Sequence, residues 1–287
     1  MYAGVFLGLG ASACWALANV AVASAGKRIG AIRALLWAQL SGAAMAGVGS
    51  LLLDERSGAV SASLAGWLAI AGAAALLGYV CLFYAFEHGR LTIAVPIMSS
   101  WAVISAALSI LVFGEHLGGA QLAGGASVVA GALVVSRYAQ GEVARGGDGA
   151  APRWLLASFG AAVGFGVLIP VMARLVDTFG SVGAVGVVYL ADIVLGLPVA
   201  LILGIGLRPP AGREWLPVLA AGLFETAGFA CITVGARFAP LALVSPFASL
   251  ASALTVAYAW AVLRERPARP VLAGAALVCA GVVILAL

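Results

Sequence analysis

The chain has 287 residues, of which 64% are hydrophobic and only 9% are charged, and its formal net charge is +4. Soluble domains contain about 25% charged residues, so this composition excludes a water-soluble globular protein and predicts an integral membrane protein. The basic residues lie in short segments beside apolar runs, so the positive charge indicates membrane topology rather than nucleic-acid binding.

Ten apolar stretches follow one another along the chain, each about as long as a membrane-spanning helix of roughly 20 residues. The first begins MYAGVFLGLGASACW without a basic leader, so we expect it to remain in the membrane as a spanning helix. We therefore predict an all-α membrane protein with ten transmembrane helices. In chain order the stretches are residues 1–26, 34–53, 57–86, 91–114, 117–136, 154–173, about 181–205, about 214–236, 238–263 and 270–287.

The Lys and Arg residues are divided unequally between the two sides of the membrane. Twelve of the 15 lie in loops that follow odd-numbered helices, and the others are Arg56, Arg174 and Arg237. Because basic loops stay on the cytoplasmic side, we predict a multi-pass protein of the bacterial inner (plasma) membrane. Its odd-numbered loops are expected in the cytoplasm and both termini outside.

An internal repeat organises the whole chain. An offset of 150 aligns residues 78–137 with 228–287 without a gap and gives 15 identities in 60 pairs, among them Pro96/Pro246 and Glu115/Glu265. Each half contains five helices, an odd number, so the second half enters the membrane from the opposite side and the repeats are inverted. We predict a first repeat over 1–136, a cytoplasmic linker over 137–153 and a second repeat over 154–287.

Pro96 and Pro246 lie inside predicted helices 4 and 9. A proline removes one helical hydrogen bond and bends the helix, and in lipid the freed carbonyl needs another partner, for which the hydroxyls of Ser99 and Ser100 are close in sequence. Broken helices at matching points of inverted repeats are typical of a central substrate cavity. The alternative is that both prolines only bend helices for packing.

Three segments carry a family resemblance: CWALAN (14–19), YAFEHGRLTIAVPIMSSW (84–101) and PLALVSPFASLASALTVAYAW (240–260). With the doubled proline, the Glu that follows it and the Gly pattern of helices 5 and 10, they resemble the two EamA-type repeats of the drug/metabolite transporter superfamily. The resemblance covers all ten helices and implies export of a small metabolite by alternating access. Within the superfamily, the chain is most similar to bacterial exporters of aromatic and other neutral amino acids.

An amino-acid exporter needs an apolar wall and polar groups for the ammonium and the carboxylate. Tyr79 and Phe83 share one face of helix 3, which the resemblance places at the cavity, although such a stripe is also ordinary packing. Gln39 aligns with Tyr189 across the repeats, which suits a shared position facing the cavity. The candidate substrate-binding residues are Trp15, Asn19, Gln39, Tyr79, Phe83, Ser99, Trp101, Tyr189, Phe229, Ser249 and Tyr258.

Four acids need an explanation. Asp192 and Glu225 lie well inside predicted spans, where an acid is costly and marks a functional position. Glu225 is our candidate for a proton or ammonium site, with helix capping or a wet vestibule as the alternative. The repeat-related Glu115 and Glu265 lie at the membrane edges, and we predict a structural role in which each accepts hydrogen bonds from a neighbouring helix end or pairs with nearby basic groups. A contribution to gating is the alternative.

The sequence contains no P-loop, HExxH or GxSxG motif and no acidic metal cluster, so we expect no ATP binding, no metal, no cofactor and no enzymatic activity. The four cysteines lack the spacing of a metal or redox site. We predict a monomeric carrier whose partners are a small-molecule substrate, an amino acid, and the lipid bilayer. Export of a nucleoside, a cationic drug or another metabolite remains an alternative, as does a channel.

Overall fold

The computed structural model describes residues 2–53, 55, 58, 61–101, 103–105, 107–108, 118–145, 153–235, 238, 247–248, 250–265 and 267–285. Within these ranges the chain forms ten α-helices, one 3-10 turn (Gly212–Glu214) and no strand. The helices are α1 (Tyr2–Ile29), α2 (Ala31–Leu52), α3 (Ala62–His88), α4 (Leu91–Met98), α5 (Gly119–Arg145), α6 (Arg153–Phe179), α7 (Ser181–Ile202), α8 (Trp215–Gly235), α9 (Ala251–Ala261) and α10 (Arg269–Leu285).

Six helical segments are long and apolar enough to cross a membrane, and they comprise α1, α2, α3, most of α6, α7 and the segment Gly212–Gly235 that contains α8. Of four shorter apolar segments, one contains α4, one coincides with α9, and the other two lie within α5 and α10. A helix suits these sequences because it satisfies its own backbone hydrogen bonds, which lipid cannot do. Helix α5 extends to Arg145, into the segment predicted as a linker.

The helix packing follows the repeat. The offset of 150 carries α1 to α5 onto α6 to α10 in order. Helix α3 packs extensively on α6, and the symmetry-related contact of α8 with α1 is equally extensive. Two further contacts also have symmetry-related equivalents: α2 with α8 corresponds to α7 with α3, and α1 with α9 corresponds to α6 with α4. The contacts α2–α7, α4–α9 and α5–α10 join each helix to its own counterpart. The predicted fold, two inverted five-helix repeats about a pseudo-two-fold axis, is confirmed.

Paired glycines explain how α5 and α10 approach each other. A Cβ atom on Gly131 would lie 2.5 Å from the carbonyl oxygen of Gly274, and one on Gly281 would lie 2.5 Å from that of Gly124. The offset of 150 exchanges these two contacts. Because each obstacle is backbone, which cannot turn aside, only glycine allows this helix separation.

The helical structure after Pro96 is interrupted. Helix α4 ends at Met98, Ser99 and Ser100 form a turn, and helical residues resume at Trp101. In the second repeat, helical residues 247–248 are followed by a turn at residue 250 and by α9. In the first repeat the amide of Ser100 donates to the carbonyl of Ile97. In the second repeat the amide of Leu250 donates to the carbonyl of Phe247, so the two turns are equivalent. Pro246 lies outside the described residues.

The hydroxyls beside this turn do not have the partner expected for them. Pro96 lacks the N–H that would bond to the carbonyl of Thr92, four residues earlier. Ser99 instead donates to the carbonyl of Val95, and Ser100 to that of Ile97. A serine hydroxyl reaches the carbonyl three or four residues before it, so Ser99 and Ser100 are too far along the helix for Thr92.

Three distant carboxylates accept hydrogen bonds from helix N-termini. Glu265, after α9, accepts bonds from the amides of Leu91 and Thr92 and from the Thr92 hydroxyl, at 3.2, 3.0 and 2.8 Å. This confirms the structural role predicted for Glu265; Glu115 lies outside the described residues. Glu55 accepts bonds from the first three amides of α7, and Glu87 from the amide of Ala31 at the start of α2.

Candidate functional site

Two equivalent aromatic contacts lie at the interface of the repeats. Trp15 of α1 meets Phe229 of α8 edge to face with ring centroids 5.3 Å apart, and Phe165 of α6 meets Tyr79 of α3 at 4.9 Å. The offset of 150 exchanges these pairs. Gly228 provides the space, since a Cβ there would lie 2.6 Å from the Trp15 ring. Each repeat therefore presents an aromatic edge to the other.

The first acid of the site is joined to this aromatic surface. The hydroxyl of Tyr79, whose side chain is 2% exposed, donates to Glu225 Oε1 at 3.2 Å. Glu225 is partly buried. The counterparts of these two residues are Phe229 and Ala75, so the bond has no equivalent on the other side of the axis. One rather long hydrogen bond leaves this carboxyl group with capacity for a further partner.

The second acid lies between α2 and α7. The side-chain amide of Gln39 donates to Asp192 Oδ2 at 2.7 Å, and the two residues are 4% and 1% exposed. The other oxygen, Asp192 Oδ1, is buried and has no hydrogen-bond partner among the described residues. An unpartnered polar atom at this depth is costly.

Tyr189 joins the two acids into one group. Its ring packs on Gly42, where a Cβ would lie 2.8 Å from Tyr189 Cε2, and its centroid is 6.2 Å from that of Tyr79. Tyr189 lies one helical turn before Asp192 on α7, and the Tyr79 hydroxyl donates to Glu225. We name the five residues Gln39, Tyr79, Tyr189, Asp192 and Glu225 the central cluster.

Two buried donors at this site have no acceptor. Trp15 Nε1 and the Tyr189 hydroxyl lack a hydrogen-bond partner in the described part of the chain. Trp15 contacts Gly228 and Phe229, about one helical turn from Glu225 on α8. Buried donors are nearly always satisfied in folded proteins, so two unmet donors beside a carboxyl group indicate a place for a polar ligand.

The remaining sequence candidates lie elsewhere. Asn19 donates to Thr255 Oγ1 of α9 at 3.0 Å, and Ser99 is hydrogen-bonded to Ser252 of α9. Phe83 is buried in the core, whereas Trp101 and Tyr258 are partly buried. Phe83 belongs to the same packed core as Tyr79 and Tyr189, and Trp101 packs against that core, but no described hydrogen bond or ring contact joins these candidates to the central cluster. Ser249 lies outside the described residues.

Two members of the site were not among the candidates. Asp192 stands out in the sequence as a buried acid but is not among the candidate binding residues, because nothing in the sequence identifies Gln39, 153 residues away, as its partner. Phe165 contacts Tyr79. Its alignment with Trp15 was the signal that could have identified it.

Comparisons with known proteins agree with this architecture. The model of the EamA-like transporter family matches residues 2–137 and again 152–287. A solved crystal structure with 21% sequence identity covers 99% of this chain and 96% of its own, with a TM-score of 0.68, and it supports the fold. A search of curated proteins found no match. The resemblance to the two EamA-type repeats is thus confirmed: the chain belongs to the EamA-like transporter family, whose members are membrane transporters of small solutes.

Proposed function

We propose that this chain exports amino acids, the aromatic and other neutral ones, across the bacterial inner membrane by alternating access. The observation that carries the proposal is the combination found between the repeats: aromatic edges, a partly exposed carboxyl group and two buried donors without acceptors. An aromatic α-amino acid presents a ring, an ammonium and a carboxylate, which are complementary to these three features.

Glu225 is suited to the ammonium group. It is partly exposed and has a single described hydrogen bond, from Tyr79. Aromatic faces nearby also attract cations. In a membrane, a carboxylate and an ammonium group that pair reduce each other's desolvation cost.

The carboxylate of the substrate would accept hydrogen bonds from Trp15 Nε1 and the Tyr189 hydroxyl. Helices α3, α7 and α8, which carry Tyr79, Tyr189 and Glu225, contain no Lys or Arg. Neutral donors are therefore what the site offers to an anion. Hydrogen bonds to an ionised acceptor are stronger than neutral ones, so two such donors favour binding of a carboxylate.

Alternating access follows from the position of the cluster. It lies where the two repeats meet, so rocking one repeat against the other would open it to either side in turn. One chain supplies both repeats, and we propose that a monomer is the working unit. The distribution of basic residues places the odd-numbered loops in the cytoplasm in this proposal.

Counterflow in proteoliposomes tests the proposal. With labelled phenylalanine and threonine outside and unlabelled substrate inside, a carrier gives saturable, trans-stimulated uptake, whereas a channel does not. The variant Trp15→Phe removes one proposed carboxylate donor but keeps a ring, as at the equivalent position Phe165. We expect weaker phenylalanine affinity in Trp15→Phe and normal affinity in Trp260→Phe, a lipid-exposed control on α9. Absence of amino-acid counterflow contradicts the proposal.

One observation favours a second candidate, export of organic cations. The central cluster contains two carboxyl groups and no basic residue, and this excess of acid suits a ligand that carries only positive charge. Phenylalanine and its decarboxylated amine, phenethylamine, discriminate the candidates because they differ only in the carboxylate. Counterflow of the amine without counterflow of phenylalanine would favour the cation exporter.

A further inference from the structure

We propose that Asp192 is a proton-binding residue, distinct from the ammonium site at Glu225, and that entry of a proton through it drives export. The inference rests on the proposed function and adds the driving ion to it. It assigns a different role to each acid of the central cluster: Glu225 binds the ammonium group and Asp192 binds the proton.

The surroundings of Asp192 suit a proton and exclude a larger ligand. The residue is 1% exposed and lies between α2 and α7, where each helix meets its own counterpart. Its only described donor is the Gln39 amide, and Oδ1 is buried without a partner. An ionised carboxylate with one neutral donor is strongly disfavoured at this depth. A proton on Oδ1 removes the charge without requiring space.

The groups that face Asp192 do not supply a fixed positive charge. The helices packed on α7 are α2, α3, α6 and α8. They contribute Tyr79 from α3, Glu225 from α8 and, from α2, the neutral amide of Gln39. Tyr189 is the other titratable residue of α7 itself. The charged residues of α6 lie in its first turn and its last two turns, and they are Arg153, Arg174 and Asp177.

A short series of contacts connects the two acids. Tyr79 is bonded to Glu225, its ring is 6.2 Å from that of Tyr189, and Tyr189 lies one helical turn before Asp192 on α7. In this proposal an ammonium group at Glu225 adds positive charge to the central cluster and favours release of the proton from Asp192. By linkage, a proton on Asp192 weakens ammonium binding to the same degree.

The resulting cycle is balanced in atoms, and each turn moves one net positive charge inward because the exported amino acid has no net charge. On the outer side, one proton forms an O–H bond with Asp192 as the substrate leaves Glu225. On the cytoplasmic side, substrate binding breaks that O–H bond and the proton leaves to solution. One proton enters for each amino acid exported, and no other reactant is needed.

Proteoliposomes that contain the full chain and a trapped pH dye test this site. With the membrane potential clamped, one-for-one exchange accumulates phenylalanine about tenfold per pH unit, since each pH unit is a tenfold ratio of protons. In Asp192→Asn the amide keeps the size of Asp192 and the bond from Gln39. Counterflow in the same vesicles gives each variant's own exchange rate, and we expect Asp192→Asn to lose both pH-driven accumulation and the dye signal when these are normalised to that rate.

Two further variants complete the test. Asp192→Glu restores a titratable carboxyl group, and we expect it to recover part of the pH-driven accumulation. Glu225→Gln should lose counterflow itself, because it removes the ammonium partner. If Asp192→Asn accumulates phenylalanine along a pH gradient as wild type does, the proposal is overturned.

A measurement without substrate separates this inference from the proposed function. Infrared difference spectra of the purified protein in lipid, between acidic and alkaline buffer, report protonated carboxyl groups directly. We expect a carboxylic acid band that persists in Glu225→Gln and disappears in Asp192→Asn. Absence of an Asp192-dependent band overturns the proton site even if wild type transports amino acids. Its presence supports the site even if the substrate belongs to another class.

Discussion

At the scale of single residues, the site is asymmetric within a symmetric scaffold. Each polar side chain of the central cluster has a counterpart of different chemistry in the other repeat. Divergence at these positions lets one chain hold two unlike acids, one beside aromatic rings and one beside an amide. The pairs, with the cluster residue first, are Tyr79/Phe229, Gln39/Tyr189, Asp192/Gly42 and Glu225/Ala75.

The role of Tyr79 can be tested conservatively by replacing it with phenylalanine, the residue found at its counterpart Phe229. Tyr79→Phe keeps the edge contact with Phe165 but removes the donor to Glu225. A lost hydrogen bond to a charged group corresponds to about 1.5–3 kcal/mol, so we expect counterflow affinity to fall roughly tenfold or more. Tyr84→Phe, the same change near the end of α3, should have no such effect. Equal affinities of Tyr79→Phe and wild type would contradict the assigned role.

Gly42 shows how closely the cluster is packed. A Cβ at Gly42 would lie 2.8 Å from the Tyr189 ring and 3.0 Å from Thr226 Oγ1, whereas one at Gly47, further along α2, meets nothing within 4 Å. We expect Gly42→Ala to lower the free energy of unfolding by about 1–3 kcal/mol through overpacking. Gly47→Ala should raise it by up to about 1 kcal/mol through helix propensity. Thermal unfolding of both variants in detergent measures this difference, and similar effects of the two changes would contradict the prediction.

The sequence could predict residue types at the site but not their partners. Buried acids and aromatic faces are visible in an apolar sequence because they are rare there. The bonds that make the site join residues 153 and 146 positions apart, Gln39 to Asp192 and Tyr79 to Glu225. Which of several polar residues meet depends on helix rotation, which continuously apolar helices do not reveal.

At the scale of helices, cross-repeat capping connects the two halves at both membrane faces. Glu55 follows α2 of the first repeat and binds the start of α7 in the second. Glu265 follows α9 of the second repeat and binds the start of α4 in the first. Each carboxylate satisfies amides that a helix end leaves unpaired and matches the positive end of the helix dipole.

These caps should hold the two faces closed. Loss of a cap typically costs about 0.5–2 kcal/mol, so we expect Glu55→Ala and Glu265→Ala to be less stable than Glu214→Ala. The Glu214 change removes the exposed bond from the amide of Ala211 and a partly exposed ion pair with Arg33, which is worth little. We also expect Glu55→Ala and Glu265→Ala to open the protein at opposite faces of the membrane.

A cysteine at Thr226 in a cysteine-free chain measures that opening with a membrane-impermeant reagent applied from either side. Glu55→Ala should increase labelling from the side of the α2–α3 loop. Glu265→Ala should increase it from the side of the α9–α10 loop. Increased labelling from the same side in both variants would contradict the assignment.

At the scale of the whole molecule, the repeat offset identifies the axis. A residue on a two-fold axis meets its own counterpart, so contacts near the axis join positions about 150 apart. Ser127 donates to the carbonyl of Leu277, 150 positions away, and Ser99 bonds to Ser252, 153 away. The two bonds of the central cluster have nearly the same separation, which places the cluster near the axis.

Most of the fold follows from the sequence because the repeat and the apolar stretches each constrain it. Ten stretches predict ten helices, and duplication of an odd number predicts inversion. The limits of α5 were harder to predict, because the polar residues between 137 and 145 still form helix. The carbonyl groups that accept hydrogen bonds from Ser99 and Ser100 could not be predicted, because they depend on backbone geometry that the sequence composition does not determine.

The orientation of the molecule can be tested with two matched cysteines in a cysteine-free chain. Ala62 is exposed at the start of α3, and Gly206 lies after α7, where an added Cβ meets nothing within 4 Å. Twelve of the 15 basic residues lie on the side of Gly206, and basic loops resist translocation. We expect an impermeant maleimide to label Ala62→Cys in intact cells and Gly206→Cys only after permeabilisation. The reverse result would place the termini in the cytoplasm and make Asp192 accept its proton from the other side.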